Sequence, residues 1–414
     1  MNSFFGLFNS IDDNGGKPWC PAAFNIYHKL TKYCIPIILE WDPEKERVFT
    51  RGAACSKYLL WYFNMFVVVF SIGFFSCFYT AASYKSVPPY ASAIGTMYGL
   101  FSVITWASSM VILSDPHEFV SALNSLADLR QRLEIRFRSN IQDRNVHLHN
   151  NWKWIARIQA FINVMTAIIS VATPFVFICM SVPLDPFYVT FPWLVPISST
   201  CLSSSLCKFT YDFTIWVVRF VVSLITTTVT RCFAMLSTTF TYMFEIKSRC
   251  LDTFQRLSFG IEMDLKMLKW YQALQIANVG FKNQYSWIFA ICMGDGFVTC
   301  VVCNVVSIKR FDLPIAVYWL APAVSVMCGF FMFVFLPVAI ESGVKSQKFI
   351  RDRSNHIPLN NDGVYHKTLV RRRLKALRPV PFYCGSIMPF EFGMDRMFFV
   401  GVFLRTIDAF LLMS

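Results

Sequence analysis

Seven stretches of the chain are apolar enough, for long enough, to cross a bilayer, and polar connections separate them. A spanning helix needs about 20 mostly apolar residues. The seven run over 58–82, 91–113, 155–182, 212–236, 286–306, 313–340 and 394–413. The first, fifth and sixth are the cleanest. The fourth is interrupted by Arg219 and Arg231, and the seventh carries Arg405 and Asp408.

Helical periodicity continues outside the spans. Over 115–137, Phe119, Leu123, Leu126, Leu129 and Leu133 recur at spacings of three and four. Over 245–283, Phe254, Leu257, Ile261, Leu265, Leu268 and Tyr271 do the same. These segments extend the third-to-sixth helices beyond the membrane. Their apolar stripes need a partner surface, either within the subunit or on a neighbouring subunit. A basic amphipathic helix is expected over 365–377, with Leu369, Leu374 and Leu377 among Lys367, Arg371, Arg372, Arg373 and Lys375; Pro379 and Pro381 end it.

The charges give this pattern a direction. Of 38 Lys and Arg, 29 lie before the first span or in the second-to-third, fourth-to-fifth and sixth-to-seventh connections, against Lys85, Lys208, Lys309 and Arg310 on the alternate side. Cytosolic connections are the basic ones. The N-terminus is therefore expected in the cytosol and the C-terminus outside, opposite to a G-protein-coupled receptor. The fold class is all-α: a polytopic membrane protein with seven helices, extended into the cytosol. Four regions follow: a cytosolic segment 1–57, a six-helix bundle 58–340, a cytosolic anchor helix and link 341–393, and the last helix 394–414.

Composition agrees. Hydrophobic residues make up 55% and charged residues 15% of 414, where soluble domains carry about 25% charged. That argues against a cytosolic enzyme or a secreted domain, and 43 Phe, 16 Tyr and 11 Trp exclude disorder. The net charge of +13 sits between apolar runs, which speaks for a membrane and against nucleic acid. No secretory signal is visible over the first twenty residues. Most of the 14 Cys read as buried hydrophobes; Cys201 and Cys207, in an outer connection, are the one pair worth considering as a disulfide. The connection 183–211 is apolar and aromatic, suited to a lid over a pocket or to the lipid interface. No phosphate loop, nucleophile elbow or metal-ligand spacing appears, and all six His fall outside the spans. No enzyme, metal or cofactor is expected.

The C-terminal fifty residues carry the most specific pattern. A cytosolic helix, the link LRPVPFYCGSIMPFEFGMDR (377–396), a last span and almost no tail follow one another. This layout resembles the arthropod gustatory and odorant receptor superfamily, closest to a divergent gustatory receptor. In that family a motif Thr-Tyr, five residues, Gln-Phe closes the last span. Here Thr406, Ile407, Asp408 to Leu412, Met413 and Ser414 occupy those positions. The spacing and Thr406 match; Tyr, Gln and Phe are replaced. The resemblance implies a plasma-membrane chemoreceptor. It would act as a ligand-gated non-selective cation channel in a homo-tetramer or hetero-tetramer, with the last span lining a central pore and the first six helices forming an outward pocket for a small-molecule tastant or odorant.

On that resemblance, Gly401, Arg405, Asp408 and Leu412 share one helical face and would border an aqueous path, with Leu411 and Met413 near an outer constriction. Arg405 and Asp408 can equally form a self-neutralising i,i+3 pair. Candidate ligand residues in the outward halves are Tyr98, Thr173, Phe177, Trp216, Arg219, Asp295, Thr299, Tyr318 and Trp319. Arg219 and Asp295 read as a structural ion pair between the fourth and fifth helices, or as groups that orient a polar ligand. A secondary transporter of a small polar solute is the alternative function, although no internal repeat supports it.

Overall fold

The computed structural model describes residues 20–31, 39–50, 61–63, 65–66, 99, 105–111, 115–136, 146–179, 205–256, 261–309, 315–355, 364–385, 388–391 and 393–412, some of them in backbone only. Eight principal helices appear among them: α1 (Cys20–Thr31), α2 (Pro116–Arg136), α3 (Val146–Cys179), α4 (Ser205–Arg256), α5 (Ile261–Lys309), α6 (Ile315–Asn355), α7 (Val364–Ala376) and α8 (Met394–Leu412). The all-α expectation holds for the framework. Two short antiparallel hairpins add to it, β1 (Leu39–Asp42) with β2 (Arg47–Thr50) and β3 (Tyr383–Cys384) with β4 (Met388–Pro389). Four-residue and two-residue strands carry too little alternation to be read from sequence.

α4 has 52 residues and α5 has 49. At 1.5 Å per residue, α4 is about 78 Å long, more than twice a hydrocarbon core of about 30 Å. Its burial inverts along its length. Near its start, Phe209, Phe213, Trp216 and Phe220 form an exposed aromatic stripe, with Phe209 stacked on Phe213 and Trp216 on Phe220. From Ser237 to Lys247 the helix is more polar, yet every residue is buried. An apolar exposed half suits lipid, and a polar buried half suits the centre of a helical bundle in water.

That lower half is packed on all sides. α1 lies against α3 and α4, and its first backbone amide, at Cys20, donates to Glu245 Oε2 at 2.8 Å. Glu245 also accepts from Arg249 at 2.8 Å. A carboxylate at a helix N-terminus complements the helix dipole, and a second partner offsets its desolvation. Burial, together with the Glu245 charge, pushes the Cys20 thiol well above its usual range. The five apolar residues expected on the 115–137 helix are all buried in α2, which packs against α4 and α5 of the same chain. The partner surface for that stripe is intramolecular. In the second stripe, Phe254, Leu268 and Tyr271 are buried. Leu257 lies outside the described residues, as do the side chains of Ile261 and Leu265.

Among the described residues, two helical stretches are long and apolar enough to cross a bilayer, Tyr285–Ile308 and Ala321–Asn355. They correspond to the expected fifth and sixth spans. Most of the first two expected spans and of the connection 183–211 lies outside the described residues, as do Cys201 and the Cys207 side chain.

Candidate functional site: the link and the last helix

The basic helix expected at 365–377 is α7. Leu374 and Leu377 are buried as expected, while Val370 takes the buried position and Leu369 stays half-buried. Prolines at 379 and 381 then turn the chain away, and their missing amides leave few donors for regular structure. The link is held instead by side chains from three helices. Tyr271 Oη donates to the Arg378 carbonyl at 3.2 Å, and the Gln275 amide nitrogen donates to the same oxygen. The Val380 amide donates to Ser346 Oγ at 3.0 Å. Lys247 Nζ donates to the Pro381 carbonyl at 3.1 Å and to Asn278 Oδ1 at 2.8 Å. The Gly385 amide donates to the Ser286 carbonyl at 2.8 Å.

Phe382 is the centre of this clasp. Its ring meets Phe244 edge-on at 4.6 Å and Tyr285 at 5.6 Å, and Lys247 Nζ lies 3.7 Å from its centroid. Lys247 is fully buried, and burial alone drives its ammonium well below the usual lysine range. Its hydrogen bonds and the ring face replace part of the lost hydration. By charge pattern alone, Lys247 is one of the six basic residues in the connection between the expected fourth and fifth spans. A signal was present, however: Phe240, Phe244, Lys247, Leu251 and Phe254 recur at three-to-four spacing, so the lysine stands on an apolar stripe.

Gly385 (φ 67°) and Gly393 (φ 96°) take left-handed backbone conformations that other residues adopt at a cost. Gly393 sits at the start of α8, where its carbonyl accepts the Met397 amide at 2.9 Å. α8 packs through Phe398, Val402 and Thr406, spaced by four, against α5 and α6. Phe398 meets Phe297 at 5.9 Å, and a Cβ on Gly401 would stand 3.0 Å from the Phe297 ring. Gly401 is thus a close-approach position on the packed flank. The opposite face, with Met397, Val400, Phe403, Leu404 and Leu411, is exposed. Arg405 Nη1 donates to Asp408 Oδ2 at 3.0 Å, and these side chains are 69% and 55% exposed. They form the i,i+3 pair, on the border between the packed and open faces. Leu412 is described in backbone only, and Met413 lies outside the described residues.

Of the candidate ligand residues, the structure brings Asp295 and Thr299 together: Thr299 Oγ1 donates to Asp295 Oδ1 at 2.9 Å. They stand one turn apart on α5. Trp216 lies half-exposed on the outside of α4. Thr173, Phe177, Arg219, Tyr318 and Trp319 lie in α3, α4 and α6, with side chains outside the described residues; Tyr98 lies outside them altogether. Among the described residues, no group of three or more His, Cys, Asp or Glu side chains is arranged to hold a metal ion.

No protein-family model matches the chain, and no curated protein matches it in sequence. Solved structures do match. The insect olfactory receptor OR5 from Machilis hrabei in complex with eugenol superimposes with a TM-score of 0.58 at 11% identity, covering 98% of this chain and 100% of that one. A second structure of the same receptor gives 0.58 at 9% identity, over 94% and 97% of the two chains. At such identity the likeness shows the fold alone. Over nearly its whole length, the chain has the all-helical fold of an insect olfactory receptor.

Proposed function

We propose that the chain is a subunit of a chemosensory, ligand-gated, non-selective cation channel in the plasma membrane, with seven spans, a cytosolic N-terminus and four subunits around a pore lined by α8. The observation that carries this reading is the open face of α8. Arg405 and Asp408, at the border of that face, lie in an apolar segment and are more than half exposed. Charges at membrane depth are costly unless they meet water or protein. A second set of subunits and a water-filled axis would supply both. The shared fold with a receptor that binds eugenol supports a small, largely apolar molecule as the activating ligand.

In this arrangement a ligand among α3, α4, α5 and α6 would shift helices whose lower ends grip the link. The link would pass that movement to α8 through Gly393. The four-region division of the chain, with 341–393 as anchor and link, follows from the same reading.

The test is electrical. In cells expressing the chain, alone or with a related subunit, a ligand from a tastant and odorant panel should evoke cation current that persists with G-protein signalling blocked. Asp408→Lys should lower cation permeability relative to anions. Saturable uptake of a solute without comparable current would instead establish the transporter.

A further inference from the structure

A space of about 50 Å³ lies between helix 105–111 and α4, α5 and α6. None of the candidate ligand residues lines it. On α4 its first wall residue, Phe233, is 14 positions past Arg219, about 21 Å along the axis toward the buried polar half. Phe240, Phe289, Met293 and Met332 are among its largely apolar lining, and Thr105, Ser108, Ser237 and Cys292 break that apolar character. The Ser237 hydroxyl is engaged, donating to the Ala234 carbonyl at 3.0 Å and accepting from Gln159 Nε2 at 2.8 Å. The Ser108 hydroxyl is fully buried and has no nitrogen or oxygen partner among the described residues; beside it stands only the Cys292 thiol, a weak acceptor.

We propose that this space is a binding site for a small, uncharged, largely apolar molecule with one oxygen acceptor, of the short-chain alcohol or ketone class, whose oxygen accepts a hydrogen bond from the Ser108 hydroxyl. A buried hydroxyl with only a weak thiol acceptor beside it is poorly satisfied, and such a ligand relieves it. Water is a poor filler, because it needs two to four polar partners and most of the wall is apolar. An aromatic ring needs a cavity of about 150 Å³. A short aliphatic chain fits with a modest swing of the flexible Met293 and Met332 thioethers. The route in is lateral: Phe233 is partly exposed on the outside of the bundle and meets Phe331 at 5.4 Å across the mouth.

The site also bears on the last helix. Phe289, in its wall, meets Phe390 of the link at 5.5 Å and Phe382 at 6.2 Å. A molecule that shifts Phe289 therefore presses on the segment that leads into α8. Binding there does not depend on whether the chain conducts ions; the effect on α8 rests on the channel reading.

The test is photolabelling of the full chain in membranes with a butanol that carries a photoreactive diazirine. Adducts are expected within 233–240, 289–293 or 331–339, competed by excess 1-butanol. They should fall several-fold in Ser108→Ala, which removes the hydroxyl and little volume, and in Ala339→Phe, which fills the space. If Ala339→Phe does not reach the membrane, Ser108→Ala decides alone. Adducts confined to the exposed aromatic stripe of α4, cavity adducts that butanol does not compete, or adducts unchanged in Ser108→Ala would overturn the site. Competed cavity adducts without any ligand-evoked current would leave the site standing and count against the channel.

Discussion

Lys247 occupies a position where helical periodicity calls for an apolar side chain, and its protonation is the residue-scale consequence of that placement. An unfolded lysine titrates near 10.4. Burial holds the native group well below that. Between the two values the unfolded chain binds more protons than the folded one, so stability should rise with pH across that window. The gain is complete above the unfolded value and is lost as pH falls to the folded one. Melting of the solubilised protein from pH 7 to 10 should therefore show a steeper upward slope for the wild type than for Lys247→Met. Equal slopes would mean that the ammonium is not desolvated. The comparison subtracts the buried tyrosines and cysteines that titrate in the same range. At this scale the sequence disclosed residue types but not surroundings. Asp295 and Thr299 were legible as polar groups in a span, and their one-turn contact is a matter of helix geometry. The Lys247 clasp needs Asn278, Pro381 and Phe382, which lie 31 to 135 positions away, and no local pattern announces it.

Among the elements, α4 and the link behave differently, and the difference follows from what holds each. The expected fourth span lies within α4 and was readable because hydrophobic runs are local, whereas the 245–283 stripe runs across the end of α4 and the start of α5. Three-to-four spacing placed α2 and α7 to within a residue or two. The link has no period: two prolines, two left-handed glycines and backbone groups satisfied by distant side chains define it. Its stability is therefore concentrated in few contacts. Phe382→Ala should cost about 3–5 kcal/mol, the range for removing a buried phenyl group. Phe403→Ala, on the open face of α8, should cost far less in the isolated subunit. Denaturant or thermal unfolding of the two variants in detergent would separate them, and similar losses would argue against the clasp as the main fastening of the link.

For the whole molecule, the basic connections predict an orientation that periodicity could not, and the fold shared with an insect olfactory receptor agrees with the expected all-helical class. What the sequence could not disclose is where the outward-half residues converge, because that depends on how long helices cross. Two outcomes are expected at this scale. An epitope fused to Met1 should stain only after permeabilisation. Single-molecule photobleaching of fluorescently tagged chains in the plasma membrane should reach a maximum of four steps; a maximum of one would remove the pore formed between subunits.

The contact between the Cys20 amide and Glu245 has a consequence for biosynthesis. The partners are 225 positions apart, and at about 5–20 residues per second a ribosome needs roughly 10–45 s to make the second after the first. Until then the helix over 20–31 waits without the carboxylate that caps its first turn, with α3 already made and α4 incomplete. Truncated transcripts, or long stalls before codon 245, would leave that helix available to chaperones and degradation machinery, which makes the completed fourth helix a natural checkpoint for quality control.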